Sequence, residues 1–242
     1  MRYAIFGDIH SNLEALEAVF AAYSSENIDE YICSGDVVGY AANPNECVEA
    51  IRKTCVVTVA GNHDWASVNL IPGDYFNPAA IEAIEWTKKA LSSKSKEFLE
   101  SLKLVYKNND FILVHGTLDN PAEFDYMSND YTARKSFLSM ESDICFLGHT
   151  HVPGTFIKGA KENIIYHQDS RIVIEKGNKY IINTGSVGQP RDNNSLAAYA
   201  IFDTSKHEVL IKRVDYEYKL TRKKIISARL PVRLGDRLLL GI

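Results

Sequence analysis

Cysteine is scarce in this sequence, and the four present, Cys33, Cys47, Cys55 and Cys145, are widely spaced, with no Cys-x-x-Cys pair. That spacing excludes a disulfide framework and reads as reduced thiols, which points to a cytoplasmic chain. No apolar stretch approaches the ~20 residues that span a bilayer. Met1 to His10 runs straight into apolar residues and a Gly-Asp pair, unlike the basic start and long apolar run of a secretory signal. Positive charge is not in excess either, with 27 Lys+Arg against 31 Asp+Glu and a formal charge of −4. A protein whose affinity comes from neutralising nucleic-acid phosphates would show the opposite balance, so nucleic acid is not the expected partner. There is no Gly-Lys dipeptide for a phosphate-cradling Walker loop, no Gly-x-Ser-x-Gly elbow and no His-Glu-x-x-His helix.

What is there is an ordinary globular composition, 45% hydrophobic and 24% charged. No linker, internal repeat or low-complexity tract divides the 242 residues. The expectation is one domain over 1–242, with 65–103 as a helical insertion and 217–242 as a C-terminal helix and tail.

The apolar runs alternate between strand-like and helix-like spacing. Tyr3 to Phe6 predicts a strand, and Leu13, Leu16, Val19 and Phe20 a helix after it. Tyr31 to Cys33, a helix from Pro44 to Ile51, and Val56 to Ala60 complete a βαβαβ pattern that favours a parallel sheet. Two helices follow Asn77-Pro78, the first through Leu91 and the second from Ser92 to Leu102. Strands are expected at Leu104 to Tyr106, Phe111 to Val114 and Ile144 to Leu147, with a weaker helix over Ser128 to Met140. Six short strand-like runs between Thr155 and Val214 suggest a meander or second sheet. The fold class is therefore α/β, or α+β. A helix over Tyr218 to Ala228 carries a basic face that reads as solvated. Arg229 to Ile242 reads as a short helix docking on the body, or on a second copy in a homodimer.

Five of these strands end in polar, metal-competent residues. The first runs into Gly7-Asp8-Ile9-His10, the second into Ser34-Gly35-Asp36, and the third into Gly61-Asn62-His63-Asp64. Two later strands end in His115-Gly116 and in Gly148-His149-Thr150-His151. In open α/β sheets the loops at that edge converge on one crevice. In Asp8-x-His10 and His149-x-His151, residues two apart on an extended chain point the same way, so each pair can aim both donors into one site. The pooled donors are carboxylate, amide oxygen and imidazole with no thiolate, too many for one tetrahedral zinc and suited to a pair of divalent ions. Singly, each residue has a plainer role: Asp8 as a turn former, Asn12 as a helix start, Arg191 in an ion pair with Asp192. Tyr40, Tyr75 and Phe76 are aromatic loop residues that could stack a base.

In this order the motif set resembles the calcineurin-like metallophosphoesterases over about residues 1 to 151. The resemblance implies a four-layer αββα sandwich of two mixed sheets flanked by helices. It implies that Asp8, His10 and His151 hold one divalent ion and Asn62, His115 and His149 another, with Asp36 bridging. Mn²⁺ comes first among the ions, with Fe or Zn²⁺ as alternatives. His63 would be the general acid, oriented by Asp64, and a metal-bridging hydroxide the nucleophile. Gly35-Asp36-Val37-Val38-Gly39-Tyr40 and Asn183 to Asp192 resemble the small bacterial and archaeal phosphodiesterase branch, some members of which hydrolyse dinucleoside polyphosphates. Gly39-Tyr40 replaces the Asp-Arg of the protein-phosphatase branch. The expected activity is that of a phosphodiesterase or nucleotide phosphoanhydride hydrolase, with Asn12, Arg191 and Tyr40 as candidate substrate contacts. A dinucleoside tetraphosphate hydrolase or a phosphomonoesterase is the nearest alternative, and a protein-binding scaffold of the same fold the non-enzymatic one. A repair exonuclease would carry DNA-binding additions and a basic balance that this chain lacks.

Overall fold

The near-continuous apolar runs become strands buried on both faces. In the computed structural model, which describes residues 1–161 and 163–242, the chain opens with β1 (Arg2–Phe6), α1 (Leu13–Tyr23), β2 (Glu30–Cys33), α2 (Pro44–Thr54) and β3 (Val57–Thr58). The three strands are parallel, as the βαβαβ pattern predicts. β3 is shorter than the apolar run Val56 to Ala60. The paired register with β2 covers Val57 and Thr58, with Val56 and Val59 N–H donating to the Tyr31 and Cys33 carbonyls at its ends; Val59 also bridges Lys103, and the Ala60 N–H donates to the Lys103 carbonyl.

Three helices follow: α3 (Asn62–Ser67), α4 (Pro78–Ala90) and α5 (Ser93–Ser101). The starts of α4 and α5 are set by Asn77 and Ser92, whose side chains accept from Ala80 N and Ser95 N. β4 (Val105–Lys107), β5 (Ile112–Val114), α6 (Asp130–Ser139) and β6 (Ile144–Leu147) come next. The strand-rich remainder is β7 (Gly154–Lys158), β8 (Ile164–His167), β9 (Arg171–Val173), β10 (Lys179–Asn183), β11 (Ala197–Asp203) and β12 (Glu208–Val214), then α7 (Tyr218–Ser227) and α8 (Val232–Leu240).

The late strands do not form a sheet of their own. The two six-stranded sheets run β3-β2-β1-β11-β12-β9 and β4-β5-β6-β10-β7-β8, so each draws from both halves of the chain. The reason is that β1 and β6 each offer an edge that the first half leaves unpaired. β11 covers one antiparallel and β10 the other parallel.

Period-2 alternation then builds three core layers. Tyr3, Ile5, Phe111, Phe146 and Ile182 point between the sheets. Ala4, Phe6 and Ile201 point the other way, against Leu16, Val19 and Ile51 of α1 and α2. On the far side Ile112, Val114, Cys145 and Ile181 cover Ala133 and Phe137 of α6. The result is the αββα sandwich of two mixed sheets. A fourth cluster joins Ala80 and Ala83 of α4 to Ile225 of α7 and to Leu234 and Leu238 of α8. No helix among the described residues is long and apolar enough to cross a membrane.

Candidate metal centre

The five expected strand ends do converge. Asp8, His10, Asp36 and His151 each bring a donor atom into one group, and Asp36, His115 and His149 into a second; within each group the atoms lie within 4.8 Å of one another. Asp36 belongs to both. His10 Nε2 is 3.5 Å and His115 Nε2 3.3 Å from Asp36 Oδ2, and His151 Nε2 is 3.4 Å from Asp8 Oδ1. Asn62 Oδ1 lies 3.2 Å from His115 Nε2.

The backbone achieves this differently from the extended geometry expected of the Asp-x-His and His-x-His pairs. Asp8, His10, Asp36, His149 and His151 all have positive φ, between 50° and 69°. That left-handed conformation is costly for residues other than glycine, and runs of it at one place mark a functional site. It curls each loop inward rather than letting side chains alternate along a strand. The loops also lock together: His10 N–H donates to the Asp36 carbonyl at 2.9 Å, and His149 N–H to Asp8 Oδ2 at 3.0 Å. Gly61 is where chain passes closest to the shared carboxylate. A Cβ there would stand 2.0 Å from Asp36 Oδ1, so only glycine fits.

The donor set can be tested against a cation by its tautomers. His10 Nδ1 lies 3.2 Å from the Val38 carbonyl, His151 Nδ1 2.6 Å from that of Gln189, and His115 Nδ1 2.7 Å from that of Ser34. A carbonyl accepts only, so each Nδ1 must carry the proton, and the neutral rings of His10 and His151 turn an Nε2 lone pair inward. The Nε2 atoms of His10 and His151 then face each other at 3.0 Å with no proton between them. Two lone pairs in contact, beside carboxylates that are 0–1% exposed, need a positive charge. No Lys or Arg pairs with Asp8 or Asp36 among the described residues; only imidazoles do. The residues therefore fit a dinuclear divalent site with nitrogen and oxygen ligands.

The protonation states agree. Burial pushes His10 and His151 well below the usual histidine value, His149 to about 3 and His63 to about 4, leaving neutral imidazoles. His115 is the exception. Burial would lower it too, but the neighbouring carboxylates, Asp36 and then Asp8, outweigh burial and raise it to about 9. Burial also raises Asp8 to about 7, whereas His115 and His63 outweigh burial at Asp36 and hold it well below the usual carboxylate range.

His63 is caged by His10, Tyr40 and Phe76, whose ring centroids lie 4.9, 4.5 and 4.8 Å away, and its Nδ1 has no hydrogen-bond partner. The expected contact with Asp64 is absent. The Asp64 carboxylate instead accepts from Gly61 N at 3.0 Å and Val38 N at 3.1 Å. It caps the helix that begins at Asn62 and fastens it to the loop after Asp36, so it positions His63 through the backbone. Asn12 is likewise not a substrate contact. It is fully buried, caps α1 through Ala15 N, and donates to the Gly188 carbonyl. Asp192 pairs with Arg213, which leaves Arg191 to bond Gln189 Oε1 at 2.9 Å and the Tyr40 hydroxyl at 3.3 Å.

These residues open on a cavity of about 810 Å³ lined by Asp36, Asn62, His63, His149 and His151 together with Tyr40, Tyr75, Phe76, Tyr126, Arg191 and Arg237. That volume suits a small-molecule ligand. Tyr126, which stacks on the His149 ring at 4.1 Å, and Arg237 carry no local signal in the sequence. Both come from segments whose path to the cavity is set only by tertiary packing. The segment 183–188 braces the site: Asn183 Nδ2 donates to the Gly148 carbonyl and Ser186 Oγ to that of Asp8.

The chain matches the calcineurin-like phosphoesterase superfamily domain over residues 1–207 and belongs to that superfamily. It is 41% identical over 242 residues to the uncharacterized protein MJ0912 of Methanocaldococcus jannaschii, covering 98% of this chain and 97% of that one. A metallophosphoesterase from Sphaerobacter thermophilus superposes with a TM-score of 0.88 at 37% identity, over 100% of this chain and 99% of the other. Hypothetical protein PH1004 from Pyrococcus horikoshii OT3 shares the fold, with a TM-score of 0.80 at 19% identity over 100% and 98% of the two chains. Membership of this superfamily supports a phosphoester hydrolase.

Proposed function

We propose that the protein hydrolyses a phosphodiester or phosphoanhydride bond in a small phosphorylated molecule, with a nucleotide as the favoured class. The observation that carries this reading is the single buried carboxylate, Asp36, common to two groups of buried donors. Asp8, His10 and His151 would hold one divalent ion and Asn62, His115 and His149 the other, with Asp36 between them. Mn²⁺ is the favoured ion, and Fe and Zn²⁺ accept the same ligands. When bound, such a pair supplies Lewis acidity toward phosphoryl oxygens and an activated water.

The chain's own groups supply the rest. His63, on the cavity wall, gives a proton to the leaving oxygen. Burial lowers its pKa to about 4, and the Asp36 carboxylate is the neighbouring charge that favours the protonated ring. Arg191, held by Gln189 and Tyr40, presents its guanidinium to a phosphate. Tyr75 and Phe76 offer faces on which a base can stack, whereas Tyr40 is buried with its ring packed on His10 and His63.

Turnover of bis-p-nitrophenyl phosphate with added Mn²⁺ tests the reading against Asp36→Asn. The wild type is expected to turn over, and the variant to lose on the order of a hundredfold or more. Equal rates in the two proteins, or none in either, overturn it.

A further inference from the structure

Arg237 belongs to the C-terminal helix α8, beyond the residues 1–207 matched by the superfamily domain, yet it lines the same cavity as the metal-competent cluster. Its position is built. Leu234 and Leu238 anchor the inner face of α8 against α4 and α7, and Arg237, between them on the flank, is left half-buried toward the cavity. The far end of the helix is tied to the loop that carries Arg191. Asn193 N–H donates to the Gly241 carbonyl at 2.8 Å, and a Cβ on Gly241, whose φ is 66°, would lie 2.5 Å from the Asn194 backbone. Two cationic side chains are thus fixed in one cavity by independent elements.

Neither is neutralised by a side chain. Arg237 Nε donates to a main-chain oxygen of Ile242, the last residue of the sequence, which orients the guanidinium and offsets part of its charge, and the Arg191 guanidinium bonds only the neutral Gln189 and Tyr40. Glu123 and Asp125 line the same cavity, but neither forms an ion pair with an arginine among the described residues. Burial and then the Arg191 charge lower Arg237 from its usual value, which says that the two cations feel each other. A like-charged pair facing an open cavity is unfavourable until an anion joins it. A guanidinium is a planar fork suited to phosphate oxygens.

We propose that Arg191 and Arg237 form a second anion subsite, beside the metal-competent cluster, that receives an additional phosphate of the substrate. The substrate class is then a nucleoside diphosphate or polyphosphate rather than a monophosphate or simple diester. This rests on the phosphohydrolase reading above, with the reacting phosphorus at the Asp36 cluster.

The test is equilibrium binding to the Mn²⁺-loaded protein, at fixed free Mn²⁺, of adenosine monophosphate and of the non-hydrolysable α,β-methylene analogue of adenosine diphosphate. The wild type is expected to prefer the diphosphate analogue by roughly tenfold or more, the effect of one charge-assisted phosphate contact. Arg237→Ala and Arg237→Gln should bring that ratio close to one, and Arg237→Lys should restore part of it, with melting temperature confirming that each variant is folded. A wild type without the preference, variants that keep it, or no binding of either nucleotide overturns the proposal. Failure of the phosphohydrolase reading shows separately, as absent turnover of bis-p-nitrophenyl phosphate by the wild type.

Discussion

His63 and the metal-competent side chains differ in what they are asked to do, and substitution should separate them. His63→Ala is expected to lower kcat by about 10²- to 10⁴-fold with bound metal unchanged. The loss should be smaller for p-nitrophenyl esters, whose leaving group needs little proton help, than for alkyl esters. Equal losses on both, measured with metal content, would argue against proton donation. Far from the site, Glu26 joins Lys212 and Arg2, which lower its carboxyl below the usual value, the Lys212 contact first. A carboxylate depressed in the folded state contributes stability that is present above its unfolded value, about 4.3, and lost as pH falls through the folded value. Glu26→Gln should therefore cost up to about 1 kcal/mol near neutral pH, and urea unfolding should show the gap closing in acid. At this scale the donor residues were legible in the sequence, because strand-end Asp, Asn and His in a fixed order leave few other uses. The route by which Asp64 positions His63 was not legible, because the sequence does not say which backbone amides its carboxylate meets.

The outer helices give the cavity its wall. Ala80 and Ala83 of α4 meet Ile225 of α7 and Leu234 and Leu238 of α8, and this small cluster is what holds Phe76 and Arg237 at the cavity rim. Leu234 is 2% exposed within it. Leu234→Ala should cost about 2–5 kcal/mol and loosen α7 and α8 before the sheets, which limited proteolysis would register as early cleavage after residue 217. Strands and helices were largely legible: Ile144 to Leu147 and Ile164 to His167 fall where periodicity puts them. What periodicity could not reveal was partnership. The short apolar runs after Thr155 look alike, and only the unpaired edges of β1 and β6 decide which sheet each one joins. The left-handed turns at Asp8, His10, His149 and His151 were hidden for a related reason, since positive φ away from glycine is imposed by the loops that interlock there.

Across the whole molecule, two sheets bring loops from distant parts of the chain to one edge, and the charge they gather is negative where it is most deeply buried. Asp8 and Asp36 sit at 0–1% exposure among imidazoles that burial lowers, His115 excepted, which the two carboxylates raise. The formal charge of −4 is in part a count of carboxylates placed to receive cations. Two divalent ions would offset it, and a phosphate approaching the cavity would then meet a positive field joined by Arg191 and Arg237. Metal binding should also stabilise the fold, because it ends the lone-pair contact of His10 with His151 and binds the native state alone. The decisive measurement is metal stoichiometry: protein stripped with a chelator, reloaded with excess Mn²⁺, desalted and assayed by elemental analysis. Two ions per chain are expected in the wild type and at most one in Asp36→Asn; a wild type that retains none would show that these carboxylates and imidazoles were not assembled for metal.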